Sequence, residues 1–194
     1  MKTTLNEIRK HHPCSDGWTK LLKHLGKTKA DDEPLAILTI LEANGLDDAI
    51  WCLRAVPETD RLPRLFAAWC ARQVQCYTDS RFSDLLDAVE RYAQGFSFEA
   101  VEAELKKAQR PTFAWPDARD DYPAYYANLA AYSAASAALC YAETAAGYAV
   151  SAVSFTVLRQ DPTMQRVEAW ATRAAARSAQ KEYLTQLCKV FHEN

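Results

Sequence analysis

Glycine is scarce, with five in 194 residues. Few positions can then take the left-handed backbone that tight hairpins and phosphate-cradling loops require. Neither an all-β sandwich nor a glycine-rich nucleotide loop is expected. Histidine is also rare: His11 and His12 stand beside Cys14, and the only others are His24 and His192. A structural zinc site needs a full tetrahedral set of ligands, and no second Cys/His cluster exists to complete one. No metal and no cofactor is therefore expected. Positive charge is not in excess: 23 Lys+Arg stand against 25 Asp+Glu, a net charge of −2, with a pI near 6.1. That balance argues against nucleic acid held by bulk charge. The arginines on one stripe of the last predicted helix, Arg166, Arg173 and Arg177, have no aromatic stacking platform beside them. The first ten residues lack the apolar run of a secretory signal. The six cysteines form no CxxC pair and mostly fall in apolar helical patterns. They read as reduced small hydrophobes in a cytoplasmic protein.

What is present is ordinary globular material. Hydrophobic residues make up 49 % and charged residues 25 %, enough for a real core. At roughly 150 residues per domain the length fits a single domain over 1–194. Helix signals recur from end to end. Thr4 with Glu7 is a capping-box pattern, and Pro13 closes that first helix. Ser15 and Asp16 read as caps of a second helix, with Gly26 at its C′ position. Pro34 fits the first turn of a third, which Asn44-Gly45 ends. Asp47 and Asp48 suit the positive end of a short fourth. Thr59 or Asp60, Ser80 and Ser97 open three more.

Residues 110–122, with Pro111 and Pro116, break the pattern, and Phe113 and Trp115 within them read as pinning a connecting loop to the core. This loop divides an N-terminal half, 1–110, from a C-terminal half, 122–194. From Tyr122 to Leu158 the only charged side chain is Glu143, and Ala, Ser and Tyr dominate. Such a stretch lacks the Leu, Ile, Val and Phe block of a membrane span and reads as buried helix. Asp161-Pro162 caps a last helix with Val167, Trp170, Ala174, Leu184, Leu187 and Val190 inward. The expected fold is all-α: an irregular bundle of eight to ten helices, packed by Leu and Trp in the first half and built on long Ala/Tyr-rich helices in the second.

Chemistry is harder to find. No GxSxG elbow or papain-type signature is present, though Cys14 and His24 remain a conceivable spatial pair. The acidic groups Asp31-Asp32-Glu33, Asp47-Asp48 and Asp120-Asp121 sit in predicted loops or caps, where solvated carboxylates are the ordinary reading. Glu143 stands alone in an apolar helix, so it must reach solvent, take a proton or find a base. The last-helix arginines are its natural partners.

The first third carries a resemblance. Leu5 to His12, Pro13-Cys14, Gly17-Trp18, Leu21-Leu22 and Leu25-Gly26-Lys27 form one motif. Asp31-Asp32 follows, and Ile40-Leu41-Glu42, Asn44-Gly45-Leu46-Asp47-Asp48-Ala49 and Trp51-Cys52-Leu53-Arg54 form another. Together they resemble a helical family of immunity proteins found in bacterial polymorphic-toxin and phage-borne loci. The likeness covers residues 4–56 and extends through 65–74 and 88–95. Beyond that only composition agrees. On physical grounds the shared residues read as structural, with Trp18, Trp51 and Trp69 as an aromatic core.

The resemblance implies a non-enzymatic inhibitor that covers a partner toxin. A phage-encoded inhibitor of a host defence system, such as an anti-CRISPR protein, is the alternative with the same physics. An enzyme built around Glu143 and the last-helix arginines is another, and a homo-oligomer joined through the Ala/Tyr helices a fourth. For a protein partner, the acidic loops Asp31, Asp32, Glu33 and Asp117, Asp120, Asp121 are the expected contact surface.

Overall fold

The structure, a computed structural model, describes residues 1–56, 61–78, 80–108, 122–135, 147 and 165–190. Asp117, Asp120, Asp121, Glu143, Phe113, Trp115 and Asp161-Pro162 lie outside the described residues, as do the side chains of Arg166, Val167 and Trp170. The fold is all-α: nine α-helices account for most of the described residues, and strand for 3 %.

The N-terminal layer starts with α1 (Leu5–Lys10), capped as its sequence dictates. Thr4 is extended, and its hydroxyl accepts the Glu7 N–H at 3.1 Å. The chain then turns into α2 (Ser15–His24). Its cap is Cys14 rather than Ser15 or Asp16: the Cys14 thiol sulfur accepts the Gly17 N–H at 3.4 Å, and Ser15 is already helical. At the far end Gly26 takes φ +65, and the Lys27 N–H reaches the Leu22 carbonyl at 2.9 Å, closing the helix as a C′ glycine should.

Pro34 does not open the next helix. Leu35–Ala36 (β2) pairs antiparallel with Lys2–Thr3 (β1), in the register Lys2↔Ala36 and Thr3↔Leu35. The helix α3 (Ile37–Asn44) starts only after that pairing. The ladder uses backbone groups of residues that would otherwise form the first helical turn, and Pro34, with no N–H, stands just ahead of it. Gly45 then turns the chain at φ +99 into α4 (Leu46–Cys52), with Asp47 and Asp48 in its first turn. A 3₁₀ turn, Leu53–Ala55, follows, and the buried Thr3 hydroxyl donates to the Ala55 carbonyl, binding the chain start to it.

The second layer contains α5 (Arg61–Arg72), α6 (Ser80–Ala93), α7 (Glu99–Ala108) and α8 (Tyr122–Ala135). Helix α8 packs on α5, α6 and α7. Its Ala127, Ala130, Ala131, Ala134 and Ala135 are all buried, so the alanines are spent on letting helix axes approach within the chain. Two arginines close the seams. Arg64, only 6 % exposed, donates to the Ala135 carbonyl at 2.8 Å, with its guanidinium 4.8 Å from the Phe98 ring centroid. Arg72 grips Glu90 through two nitrogens, at 2.8 and 3.0 Å, and also pairs with Asp87.

Helix α9 (Gln165–Val190) contacts both α3 and α5 and so joins the two layers. Its inward stripe is Gln180, Leu184, Leu187 and Cys188, with Tyr183 half-buried and stacked on Trp69 at 4.3 Å. Leu184 and Leu187 are inward as expected, but Ala174 and Val190 are exposed. At about 100° per residue both fall a quarter-turn or more from that stripe. One continuous core runs from Leu5, Ile8, Ile37 and Ile40 through Phe66 to Leu85, Val89, Val101 and Leu184. The tryptophans do not form its centre: Trp18, Trp51 and Trp69 are partly exposed and pack against its edge.

Enlarging Ala131, which has no exposed surface, should force the helix axes apart. Ala131→Leu is expected to lower the unfolding free energy by about 1–3 kcal/mol in a denaturant titration.

Candidate functional site

The two sequence motifs of the first third meet in space. After α1 the chain reverses at His12, a non-glycine residue held at φ +55, and Pro13 then delivers Cys14 to the start of α2. One turn on, Gly17 approaches α4 so closely that a Cβ there would lie 2.8 Å from Asp48 Oδ2 and 3.1 Å from Cys14 Sγ. Glycine is needed at this contact for space, since its backbone is ordinary helix.

Asn44, the last residue of α3, fastens the contact. Its Nδ2 donates to the Gly17 carbonyl at 2.8 Å and to Asp48 Oδ2 at 2.7 Å. Both partners are acceptors, which fixes the amide orientation and leaves Oδ1 buried without a donor among the described residues. Lys20 Nζ adds a bond to the Asn44 carbonyl at 3.3 Å.

The product is an open cleft of about 370 Å³ between α1, α2, α3 and α4. Ile8, Leu21 and Ile40 supply a buried apolar floor, and Trp18 and Trp51 are half-buried at its sides. His12, Cys14, Asn44, Asp47 and Asp48 bring polar groups to it. Asp47 is exposed and ion-paired with Arg177 of α9, which also reaches Gln180 Oε1 at 3.1 Å. The Arg54 guanidinium lies 4.4 Å from the Trp51 ring centroid, and its Nε donates to the Trp51 carbonyl at 2.9 Å. Cys52 is buried at the cleft edge. Burial, reinforced by the Asp48 charge and opposed by Arg54, pushes its thiol up to about 12, so it stays protonated at neutral pH.

Of the predicted contact residues, Asp31, Asp32 and Glu33 lie outside this cleft. Asp31 and Glu33 both meet Lys27 Nζ at 2.6 Å, and the Asp31 carbonyl accepts the Asn6 N–H at 3.1 Å. The hydrogen bond from Lys27 holds the Asp31 carboxyl below its usual range, and the same contacts raise Lys27. Asp32 borders a second, open depression beside Glu7, Arg9 and Lys10. Asp117, Asp120, Asp121 and the Glu143 carboxylate belong to the residues not described. Among the described residues, no three His, Cys, Asp or Glu side chains converge to hold a metal ion.

The sequence reading treated Trp18, Asn44, Asp47, Asp48 and Trp51 as caps and core. The signal it passed over is Gly17: a glycine in the first turn of a helix marks a close approach of another element. Here that element is the Asp48 turn. Comparison with protein-family models, curated proteins and solved structures found no match to this chain.

The described cysteines divide into two classes. Cys14 and Cys76 are exposed, whereas Cys52, Cys70 and Cys188 are buried, and burial raises all three of those thiols, Cys188 to about 11. Alkylation of the native protein followed by peptide mapping should mark Cys14 and Cys76 and spare the other three until denaturant is added. Asn44→Ala removes both amide bonds and is expected to cost about 1–3 kcal/mol of stability in denaturant unfolding. An unchanged midpoint would show that the amide does not brace the cleft.

Proposed function

We propose that this chain is an immunity-type protein that binds a toxin encoded beside it and blocks that toxin in the cytoplasm, using the α2–α4 cleft as its recognition surface. The observation that carries the reading is convergence. His12, Pro13, Cys14, Gly17 and Trp18 of the first motif line the same cleft as Asn44, Asp47, Asp48, Trp51 and Cys52 of the second. Leu5, Ala49 and Leu53 of the same motifs are buried in the core. The cleft residues instead form one concave surface whose aromatic walls are partly open to a partner.

The physics of inhibition favours such a surface. A binder that blocks by coverage gains affinity when its contact residues are already ordered. The Asn44 amide and the buried floor of Ile8, Leu21 and Ile40 supply that order. No helix among the described residues is long and apolar enough to cross a membrane. An inhibitor of a host defence system would use the same surface on a different partner, and the genes flanking this one distinguish the two.

Co-expression with the neighbouring toxin tests the proposal. The unaltered chain should restore growth and co-purify with the toxin. Trp18→Ala and Trp51→Ala should each weaken the complex by about thirtyfold, as loss of a buried aromatic anchor does, while the melting temperature shows that the fold survives. Full protection with both indoles removed would refute the assignment of the surface.

A further inference from the structure

We propose that the α2–α4 cleft receives the guanidinium group of an arginine side chain presented by a basic partner protein. This rests on the reading of the cleft as the recognition surface and says what that surface recognises.

Charge is the first argument. The lining contains the carboxylates of Asp47 and Asp48 and no lysine or arginine. Asp47 is already engaged by Arg177. Asp48 is half-buried, and its one hydrogen-bond partner among the described residues is the neutral amide of Asn44. A carboxylate drawn partly out of water and bonded only to an amide still lacks a counter-charge. Its field reaches inward, since it helps to raise the neighbouring Cys52 thiol.

Shape is the second. The volume of about 370 Å³ lies at the low end for ligand pockets and fits one long side chain rather than a large cofactor. Indole walls favour a flat, delocalised cation that can stack while its edge hydrogen-bonds a carboxylate, which selects arginine over lysine. The chain already makes both contacts beside the cleft, with Arg54 over Trp51 and Arg177 on Asp47. Neither arginine lines the cleft itself.

An anion is the opposite occupant, and the start of α2 would attract one. Three features work against it. Asp16 sits in the first turn of α2, the Cys14 sulfur takes the Gly17 N–H, and the Asp48 carboxylate would lie within 2.8 Å of a Gly17 Cβ. The space in front of that helix start is already negative.

Cys14 lines the cleft and is exposed, so its reactivity reports occupancy, and Cys76, exposed but outside the lining, is an internal reference. The probes are acetyl-Gly-Arg-Gly-amide and the same peptide with citrulline, a neutral analogue of similar shape. At roughly millimolar concentration the arginine peptide should slow alkylation of Cys14 by N-ethylmaleimide, leave Cys76 unchanged and alter indole fluorescence. The citrulline peptide should do neither. Asp48→Asn keeps an acceptor for Asn44 and should weaken arginine binding by about tenfold. Equal protection by the two peptides, or undiminished protection in Asp48→Asn, overturns the proposal. The peptide comparison uses the unaltered protein and decides even if the variant misfolds. A toxin that is neutralised equally by Asp48→Asn, but not by the Trp18 and Trp51 variants, would leave the recognition surface standing and remove the arginine. Asp48-dependent peptide binding without toxin neutralisation would do the reverse.

Discussion

One side-chain amide holds the N-terminal layer in its working shape. Asn44 ends α3, reaches back to the first turn of α2 and forward to the first turn of α4, and spends both N–H groups there. Without it Gly17 would have no reason to lie against Asp48, and the cleft would lose its polar edge. The arrangement depends on two backbone allowances on either side: the absent side chain at Gly17 and the left-handed turn at Gly45. A substituent at Gly17 would collide with the carboxylate that Asn44 holds. A side chain at Gly45 would strain the turn that aims Asp47 and Asp48.

The two layers solve packing differently. Branched side chains, Leu5, Ile8, Ile37, Ile40 and Ile50 among them, fill the space between the short helices of the first layer, whose caps set their directions. Helix α8 does the opposite, using alanine so that its neighbours can come close. Short capped helices leave concave ground where their ends meet, and that is where the cleft lies. Long helices packed through small side chains leave little room between them. The site is thus placed by helix length and side-chain size together.

Much of this architecture could be read in advance. The Thr4–Glu7 cap, the Gly26 and Gly45 stops and the acidic start of α4 follow local rules that need no knowledge of the rest of the chain. Elements set by distant partners could not be read this way. The delayed start of α3 depends on Lys2–Thr3, more than thirty positions away. The Cys14 cap prevails over two better capping residues because the His12 turn decides where the helix begins. The candidate site was only half legible. Every residue that lines it had been marked within a motif or an apolar face, yet solvent exposure of Trp18 and Trp51 is a property of the assembled surface. No periodicity along the chain announces that Gly17, Asn44 and Asp48 will touch.

The guanidinium of Arg64 lies out of water, against Phe98 and Tyr92, with the Ala135 carbonyl as acceptor. Arginine keeps its proton through any pH a cell meets, and shielding from solvent protects its attraction from dissolved ions. The junction of α5, α7 and α8 is in effect blind to acidity and ionic strength. The exposed pairs of the other layer, Lys27 with Asp31 and Arg177 with Asp47, are open to both. The Arg64 junction is built to stay the same in changing surroundings, while the exposed pairs of both layers, Arg72 with Asp87 included, are built to feel them.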